Sequence, residues 1–330
     1  MQNELAAKIG LPVLVDEPLK KYTTFKIGGP AKFFVVVNNK AQLFKAVKAA
    51  VDLKIPFIIL GGGSNVLVAD KGIDGLVIKL ENGETEVKGG RIKVFAGNLL
   101  GSFIREAVKS GYGLPAEASA KAGGLEFAAN IPGTVGGAVY GNAGAYGQGV
   151  GDFVDEVEVI VVDHEVGLKV LAKEECGFAY RESIFKQNKN WIIAEVAFAL
   201  LQDENGAEKL KQIDEEWKKR LDSQPLDLPS AGCSFKNILY SDELKKFESW
   251  AVKGLPAQAS KLPAAKFIEE AGLKGKKIGG AMVSDKHANF ILNFNNATAD
   301  DVVQLISLVK TKVRDEFGVQ LEEEVQCLGF

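Results

Sequence analysis

The strongest constraint on this chain is where its glycines fall. Of 36 glycines in 330 residues, 22 lie between residues 61 and 151. The overall share is about 11%, against roughly 7% in ordinary globular proteins. Glycine reaches positive φ and lets another group come close to the main chain, but it weakens helix and strand interiors. A stretch this rich reads as flexible connection, as a low-complexity insert, or as loops built for close approach. No internal repeat and no low-complexity segment accompanies it, so built loops are expected.

The remaining composition is that of a folded protein, with 46% hydrophobic and 25% charged residues, near the globular average. At this length more than one compact unit is expected. The formal net charge is −3, from 40 basic and 43 acidic residues, so a nucleic-acid partner held by phosphate contacts is not expected. The histidines are His164 and His287, and the cysteines are Cys176, Cys233 and Cys327. Without a Cys-x-x-Cys or a His-Glu-x-x-His motif, no metal site is expected. Three widely spaced cysteines read as reduced thiols of a cytoplasmic protein. Cys176 and Cys327, each beside hydrophobic secondary structure, read as buried structural residues. The N-terminal residues, with Glu4 and Asp16, lack the apolar core of a secretory leader. The longest apolar runs, such as 55–60, are too short to span a bilayer, so no membrane partner is expected.

Local patterns divide the chain. Asn39 caps a helix over 40–53 with Gln42 as its box partner, and Leu43, Val47 and Val51 form the apolar stripe. Residues 57–60 read as a strand that enters Gly61-Gly62-Gly63-Ser64-Asn65 and leaves as a strand at 66–68. Another strand is expected at 75–80, and 86–88 with 91–95 form a hairpin around Gly89-Gly90. A helix at 99–110 ends at Gly111. Strands follow at 156–163, 168–172 and 191–201, then a charged helix at 208–221. The proline-bearing stretch 224–229 marks the main domain boundary. Beyond it come a helix at 264–271, strands at 277–283 and 289–294, a helix at 299–317 boxed by Thr298 and Asp301, and a final strand at 321–327. Hairpins rather than regular βαβ units make this an α+β fold.

Several segments can carry chemistry. Gly61-Gly62-Gly63-Ser64-Asn65 follows a buried strand, and its main-chain N–H groups can cradle an anion such as a diphosphate. A tight strand connection would leave the same trace. The segment lacks the Gly-Lys-[Ser/Thr] of a P-loop. Gly111-x-Gly113-x-x-Ala116 matches a Rossmann fingerprint by letter only, because it follows a helix and contains Pro115. A second small-residue run covers Ile131-Pro132-Gly133-Thr134-Val135-Gly136-Gly137-Ala138 and Asn142-Ala143-Gly144-Ala145-Tyr146-Gly147. Such a run brings main chain against something flat or bulky, and two runs together favour a large nucleotide cofactor. Tyr180-Arg181-Glu182-Ser183-Ile184-Phe185 sets an arginine among apolar residues, where it asks for an anionic partner; a surface salt bridge is the plainer reading. Ser230-Ala231-Gly232-Cys233-Ser234-Phe235-Lys236-Asn237 places a thiol among small polar residues. In a strand, Leu321-Glu322-Glu323-Glu324-Val325 would put Glu322 and Glu324 on one face and Glu323 on the other; a solvated edge is again the plainer reading. The basic runs Lys218-Lys219-Arg220 and 274–277 read as solvated faces or as diphosphate contacts.

Taken in order, with Thr24-Phe25-Lys26-Ile27-Gly28-Gly29 ahead of them, these segments resemble the UDP-N-acetylenolpyruvoylglucosamine reductase (UDP-N-acetylmuramate dehydrogenase) family over about residues 20–328. Each motif is weak alone, and their shared order is specific. The resemblance implies an FAD-binding fold of the vanillyl-alcohol-oxidase (PCMH) type, built from two α+β subdomains, plus a C-terminal α+β substrate-binding domain. Residues 1–80 would be the first subdomain, to which the C-terminal strand can return. Residues 81–222 would be the second, and 223–330 the substrate domain. The short interval between Tyr180 and Cys233 looks like the shorter class of the family, which lacks a loop whose tyrosine closes over substrate. The resemblance also implies a monomeric, cytoplasmic oxidoreductase with bound FAD and NADPH as co-substrate. It would reduce UDP-N-acetylglucosamine enolpyruvate to UDP-N-acetylmuramate for peptidoglycan synthesis, and so serve cell-wall biogenesis, cell shape and cell division.

Residue roles follow from position in the motifs. The resemblance implies that FAD is held by Gly61, Gly62, Gly63, Ser64, Asn65, Ile131, Pro132, Gly133, Gly136, Gly137, Asn142, Gly144 and Ala145. It implies substrate contacts from Tyr180, Asn237, Lys261 and His287. Hydride from reduced FAD would go to C3 of the enolpyruvyl group. Arg181 would hold and polarise the carboxylate, and Glu324 would act beside it, protonated or sharing a proton. Cys233 would protonate C2. The family often has serine there; a thiol, with an ordinary pKa of about 8.5, is the better acid, and Ser234 is the less favoured donor. Arg220 and Gln224 lie in a poorly matched linker. Ile238 stands where a proline commonly follows the asparagine, which bears on the local turn. A flavin oxidase of a small alcohol would use the same glycine segments but leave Cys233 and Glu324 without a purpose. A sugar-nucleotide sensor would need the anion loops alone.

Overall fold

The structure is a computed structural model that describes residues 1–88, 90–113, 124–145, 147–199, 201–203, 205–251 and 261–330. Gly89 of the expected hairpin, Pro115 and Ala116 of the rejected fingerprint, Tyr146 and Leu200 lie outside the described residues. The chain divides into two compact units, residues 1–17, 31–62 and 73–219 in the first, and 18–30, 63–72 and 220–330 in the second.

The first unit holds two main sheets. One runs in the order Leu14–Pro18, Pro30–Val37, Ile73–Leu80, Phe57–Leu60. Its last three strands are parallel, and parallel strands need crossover connections; the helix Lys40–Asp52 supplies the one from Pro30–Val37 to Phe57–Leu60, which flank Ile73–Leu80. Asn39 starts that helix by accepting from the Gln42 N–H at 2.9 Å. The Gln42 side chain turns back to the Asn38 N–H at 3.0 Å, one residue before the position expected for a box. Leu43, Ala46, Val47 and Ala50 share a core with Leu76, Ile78 and Leu80. Alternation along the strand puts Val77 and Lys79 on its other face, and both are buried. The strand Pro30–Val37 carried no sequence expectation. Its end, Phe33-Phe34-Val35-Val36-Val37, is a continuous apolar run, as parallel strands covered on both faces often are, and it shows no period of two.

The second sheet is antiparallel, in the order Val166–Ala172, Val154–Val162, Trp191–Ala199, Arg91–Phe95, Thr85–Lys88. Within the glycine-rich run the chain forms a short helix, Val135–Tyr140, capped by Thr134. Its two glycines hide it from propensity.

In the second unit, Ser230–Cys233, Phe290–Asn293, Ala281–Val283 and Lys277–Ile278 form an antiparallel sheet. The single strand expected over 277–283 is a hairpin instead, with Lys277 opposite Met282 and Ile278 opposite Ala281. Gly279, at φ 51°, and Gly280 make its turn, which a Gly-Gly pair favours. The helix Ala299–Phe317 has the expected Thr298 and Asp301 box and buries Val302, Leu305, Ile306, Val309 and Val313. The strand expected over 321–327 is confined to Gln326–Leu328, which runs parallel to Val66–Val68. Residues 321–325 form only an isolated bridge between Glu323 and Phe235. Two of the three carboxylates there find separate cations, Glu322 with Lys236 at 3.4 Å and Glu323 with Lys310 at 2.7 Å. Adjacent Glu322 and Glu323 thus meet different cations, as the expected alternation allows. Cys327 is exposed, against the expectation that it is buried, whereas Cys176 is buried.

Among the described residues, no helix is long and apolar enough to cross a membrane. Among the same residues, no group of three His, Cys, Asp or Glu side chains could hold a metal ion.

Candidate active site

The two glycine-rich segments meet each other. A Cβ on Gly61 would lie 2.6 Å from Thr134 Oγ1, and one on Gly62 would lie 2.7 Å from Gly133 Cα. Gly63, at φ 63°, would bring a Cβ to 2.0 Å from the Tyr22 carbonyl oxygen. The carbonyls of this loop turn toward protein. Gly63 accepts from the Thr24 N–H at 3.0 Å, and Asn65 from the Gln326 N–H at 2.9 Å. In a planar trans peptide the next N–H points the opposite way, so the Ser64 and Val66 N–H groups are aimed away from those partners. The Asn65 side chain donates to the Glu324 carbonyl at 3.1 Å. The loop follows the carboxyl end of Phe57–Leu60, where open parallel sheets bind ligands. Main-chain N–H groups of a glycine loop at this place in a sheet are the kind of donor that a diphosphate takes.

The second segment contributes differently. Val135, Gly136 and Gly137 donate their N–H groups to the Asn98 carbonyl at 2.8 Å, the Ala96 carbonyl at 2.9 Å and Thr134 Oγ1 at 3.3 Å. Gly136 is pressed on Ala96, with an added Cβ 2.7 Å from the Ala96 Cβ. Ile131 donates to the Ala128 carbonyl at 2.9 Å, Pro132 precedes the turn at Gly133, whose φ is 120°, and Gly144-Ala145 pairs with Gln148-Gly149. Asn142, at φ 40°, accepts from the Gly151 N–H at 2.9 Å and donates to the Ala179 carbonyl at 2.8 Å. Its side chain ties the glycine run to the turn that carries Arg181.

That turn is tight. Ala179 and Glu182 exchange both main-chain hydrogen bonds at 3.1 Å, with Tyr180 and Arg181 at the corner. Arg181 has φ 57°. A positive φ at the third turn position is the type II pattern, usually met by glycine or asparagine, and a larger residue there costs about 1–3 kcal/mol. The guanidinium donates to the Gly144 carbonyl at 3.2 Å and lies 5.5 Å from the Tyr180 ring centroid. The Lys186 ammonium donates to the Arg181 carbonyl, and the buried Ser183 hydroxyl donates to the Tyr140 carbonyl at 2.6 Å. Arg181 and Tyr180 belong to the first unit.

Cys233, Glu324, Asn237, Lys261 and His287 belong to the second unit. Along Ser230–Cys233 the pairing goes from Ser230 opposite Leu292 to Cys233 opposite Phe290, with a register shift between. The extra residue is a β-bulge, formed with Gly232 at φ 78°; bulges re-aim the side chain that follows. Cys233 is half-buried, while Ser234, which alternates with it, is 7% exposed. The Ser234 N–H donates to the Asn289 carbonyl at 2.7 Å, and the Ser234 carbonyl accepts from the Glu324 N–H at 2.8 Å. The main chain of Glu324 is thereby fastened one residue from Cys233. Asn289, which carried no sequence expectation, clamps Phe235 by accepting from its N–H at 2.9 Å and donating to its carbonyl at 2.8 Å. The available signal was a carboxamide at the head of an apolar strand.

The remaining residues lie around this frame. Asn237 accepts from the Ala264 N–H at 3.2 Å and so caps the helix Ala264–Glu270. Lys261 pairs with Leu239, and Ile238 with Leu262, in a short ladder where a proline N–H would be missing. His287 Nδ1 accepts from the Asn289 N–H at 3.3 Å, and the ring lies against Phe290 at 4.9 Å. Burial, and then the nearby Lys274 ammonium, hold the His287 pKa below its ordinary value. Arg220 makes a double contact to Gln224 Oε1 at 2.9 and 3.2 Å.

Residues 31–166 match the FAD binding domain family, and residues 224–328 match the UDP-N-acetylenolpyruvoylglucosamine reductase C-terminal domain family. The UDP-N-acetylenolpyruvoylglucosamine reductase of Carboxydothermus hydrogenoformans is 39% identical over 331 residues, covering 100% of this chain and 98% of its own. The protein of that name from Clostridium botulinum (strain Okra) is 40% identical over 318 residues, covering 96% and 92%. Among solved structures, the UDP-N-acetylenolpyruvylglucosamine reductase of Thermus caldophilus aligns with a TM-score of 0.71 at 32% identity, over 96% of this chain and 98% of its own. The α+β expectation of an FAD-binding fold followed by a C-terminal domain agrees with these matches.

Proposed function

Because the chain belongs to the UDP-N-acetylenolpyruvoylglucosamine reductase family and is an FAD-binding oxidoreductase, we propose that it reduces UDP-N-acetylglucosamine enolpyruvate to UDP-N-acetylmuramate with NADPH as reductant. The juxtaposition of Cys233 with Glu324, fastened through the Ser234 carbonyl at 2.8 Å, supports this reading best. A flavin oxidase would have no use for that pair. Residues 1–80 and 81–222 would serve as the two FAD-binding subdomains and 223–330 as the substrate domain, in a monomeric cytoplasmic enzyme.

The loop from Gly61 to Asn65 would hold the FAD diphosphate. Ile131, Pro132, Gly133, Gly136, Gly137, Asn142, Gly144 and Ala145 would shape the second wall, since several of their polar groups are already bonded within the protein. When bound, FAD supplies hydride, taken from NADPH, to C3 of the enolpyruvyl group. Arg181 would meet the substrate carboxylate with a charge-assisted contact that strengthens as negative charge spreads from C2. Its turn fixes the guanidinium in advance, so little reorganisation is needed. The Cys233 thiol would give its proton to C2 and be left as thiolate, to be reprotonated from solvent; hydride and proton together saturate the C2–C3 bond. Glu324 would act beside it by holding or sharing a proton. Tyr180, Asn237, Lys261 and His287 would contact substrate. The low His287 pKa supports a neutral donor or acceptor there at neutral pH.

Cys233→Ala separates the two halves of the reaction. Anaerobic bleaching of the flavin by NADPH should stay near the parent rate. Reoxidation by the enolpyruvyl substrate should fall by about 100-fold or more, the usual reach of a positioned acid. Cys233→Ser should keep part of the rate. Equal losses in both halves would refute the assignment of Cys233, and a folded protein that takes up no FAD would sink the wider reading.

A further inference from the structure

Lysine is almost never buried without a partner, because desolvation penalises the ammonium unless an anion meets it. Lys79 is 9% exposed, one residue from the end of the strand Ile73–Leu80. It lies on the sheet face opposite the one through which Leu76, Ile78 and Leu80 join the helix-covered core. Its ammonium donates to the Leu80 carbonyl at 2.7 Å, which draws it to the carboxyl end of the strand. Across the parallel pairing Lys79 is in register with Leu60, about 4.8 Å away as neighbouring strands are. Leu60 runs directly into Gly61-Gly62. Burial holds the Lys79 pKa below its ordinary value, and the Glu81 carboxylate opposes that shift only in part.

We propose that Lys79 is a counter-charge for the diphosphate of FAD at the glycine loop that begins at Gly61. The proposal rests on the reading of that loop as the diphosphate cradle. It would bring a full positive charge to the loop that follows Leu60. It also explains why a sheet with apolar neighbours retains a lysine at the carboxyl end, where ligands of parallel sheets collect.

Full-length Lys79→Met and Lys79→Arg proteins test it after removal and re-addition of FAD. FAD affinity is read from flavin fluorescence, and melting is followed for the apoprotein and the FAD-loaded protein separately. Lys79→Met should weaken FAD binding by about 10- to 100-fold, the range for one charge-assisted hydrogen bond. Its apoprotein should melt at or above the parent temperature, because an apolar chain of similar length replaces a buried charge. Lys79→Arg should recover most of the affinity. A Lys79→Met protein that binds FAD as tightly as the parent overturns the proposal. So does an apoprotein that loses as much stability as the loaded form, which would make Lys79 a purely structural residue. A folded parent that binds no FAD overturns the cradle reading, and this inference with it.

Discussion

Asn289 fastens the main chain that follows Cys233. Its carboxamide is 2% exposed and holds both the N–H and the carbonyl of Phe235, which is itself 1% exposed. Asn289→Ala would leave a donor and an acceptor stranded in the core. Each unmet buried group costs about 1–3 kcal/mol, so the two together cost about 2–6 kcal/mol. That is a large share of the roughly 5–15 kcal/mol that holds a typical protein folded. Asn289→Asp should not rescue, because its second oxygen would face the Phe235 carbonyl without a proton between them. Urea unfolding followed by circular dichroism should show a lower midpoint at an unchanged slope, the sign of lost stability without a change in exposed surface. The Cys233-dependent half-reaction should fall further than flavin reduction, because the Ser234 ladder to Glu324 hangs on the same strand. A loss under about 0.5 kcal/mol, the range of an ordinary surface substitution, would show that Phe235 does not depend on this clamp.

Other outcomes follow from the same geometry. Gly232→Ala meets no atom within 4 Å but must hold φ 78°, so its cost in a denaturation curve should be conformational alone, about 1–2 kcal/mol. Gly62→Ala runs into Gly133 Cα at 2.7 Å, and it should lower FAD retention on gel filtration as well as stability. The Asp301 carboxylate accepts from the Thr298 and Gly280 N–H groups at 3.0 Å, and those bonds hold its pKa below the usual carboxylate range. A depressed folded pKa gives stability that is present above the unfolded value and lost as pH falls through the folded one. Asp301→Asn should therefore be less stable than the parent at neutral pH, and the gap should close in acid melts. Of the thiols, Cys176 is buried and pushed up to about 12, first by burial and then by the Glu175 and Glu174 carboxylates. Alkylation of the native protein at mild pH, read by peptide mapping, should modify exposed Cys327 and spare Cys176.

What could be read ahead of the structure was local. Asn39 and the Thr298–Asp301 box announce their helices because a cap satisfies donors within one turn. The bulge at Gly232, the clamp at Asn289 and the bridge from Glu323 to Phe235 depend on partners between 54 and 88 residues away, and no window on the sequence contains both members. Residues 321–325 show the limit of a local pattern, since the strand expected over 321–327 pairs there only through a bridge to Phe235. Glu322 and Glu323 take separate cations, Lys236 and Lys310, as alternation allows, but the regular strand is confined to Gln326–Leu328. Lys79 was passed over for the same reason, since its burial is set by strand register rather than by its neighbours in sequence.

The glycine cluster changes meaning at this level. A motif reading makes each glycine a place where main chain touches a ligand. The distances at Gly61, Gly62 and Gly136 show that protein already occupies the space of a Cβ, Thr134 and Gly133 in the first two cases and Ala96 in the third. Glycine there permits two loops of one unit to pack on each other. That packing fixes the peptide planes, and the planes fix which way the N–H groups point. An anion-binding loop on a flexible glycine run would have to pay its ordering entropy on binding. Here the Thr24 bond to the Gly63 carbonyl and the Gln326 bond to the Asn65 carbonyl hold the loop in place beforehand. The cluster is therefore better understood as preorganisation than as flexibility. On that view substitutions at Gly61 and Gly62 act on cofactor affinity through the shape of the apoprotein, even where the added methyl group would never touch FAD.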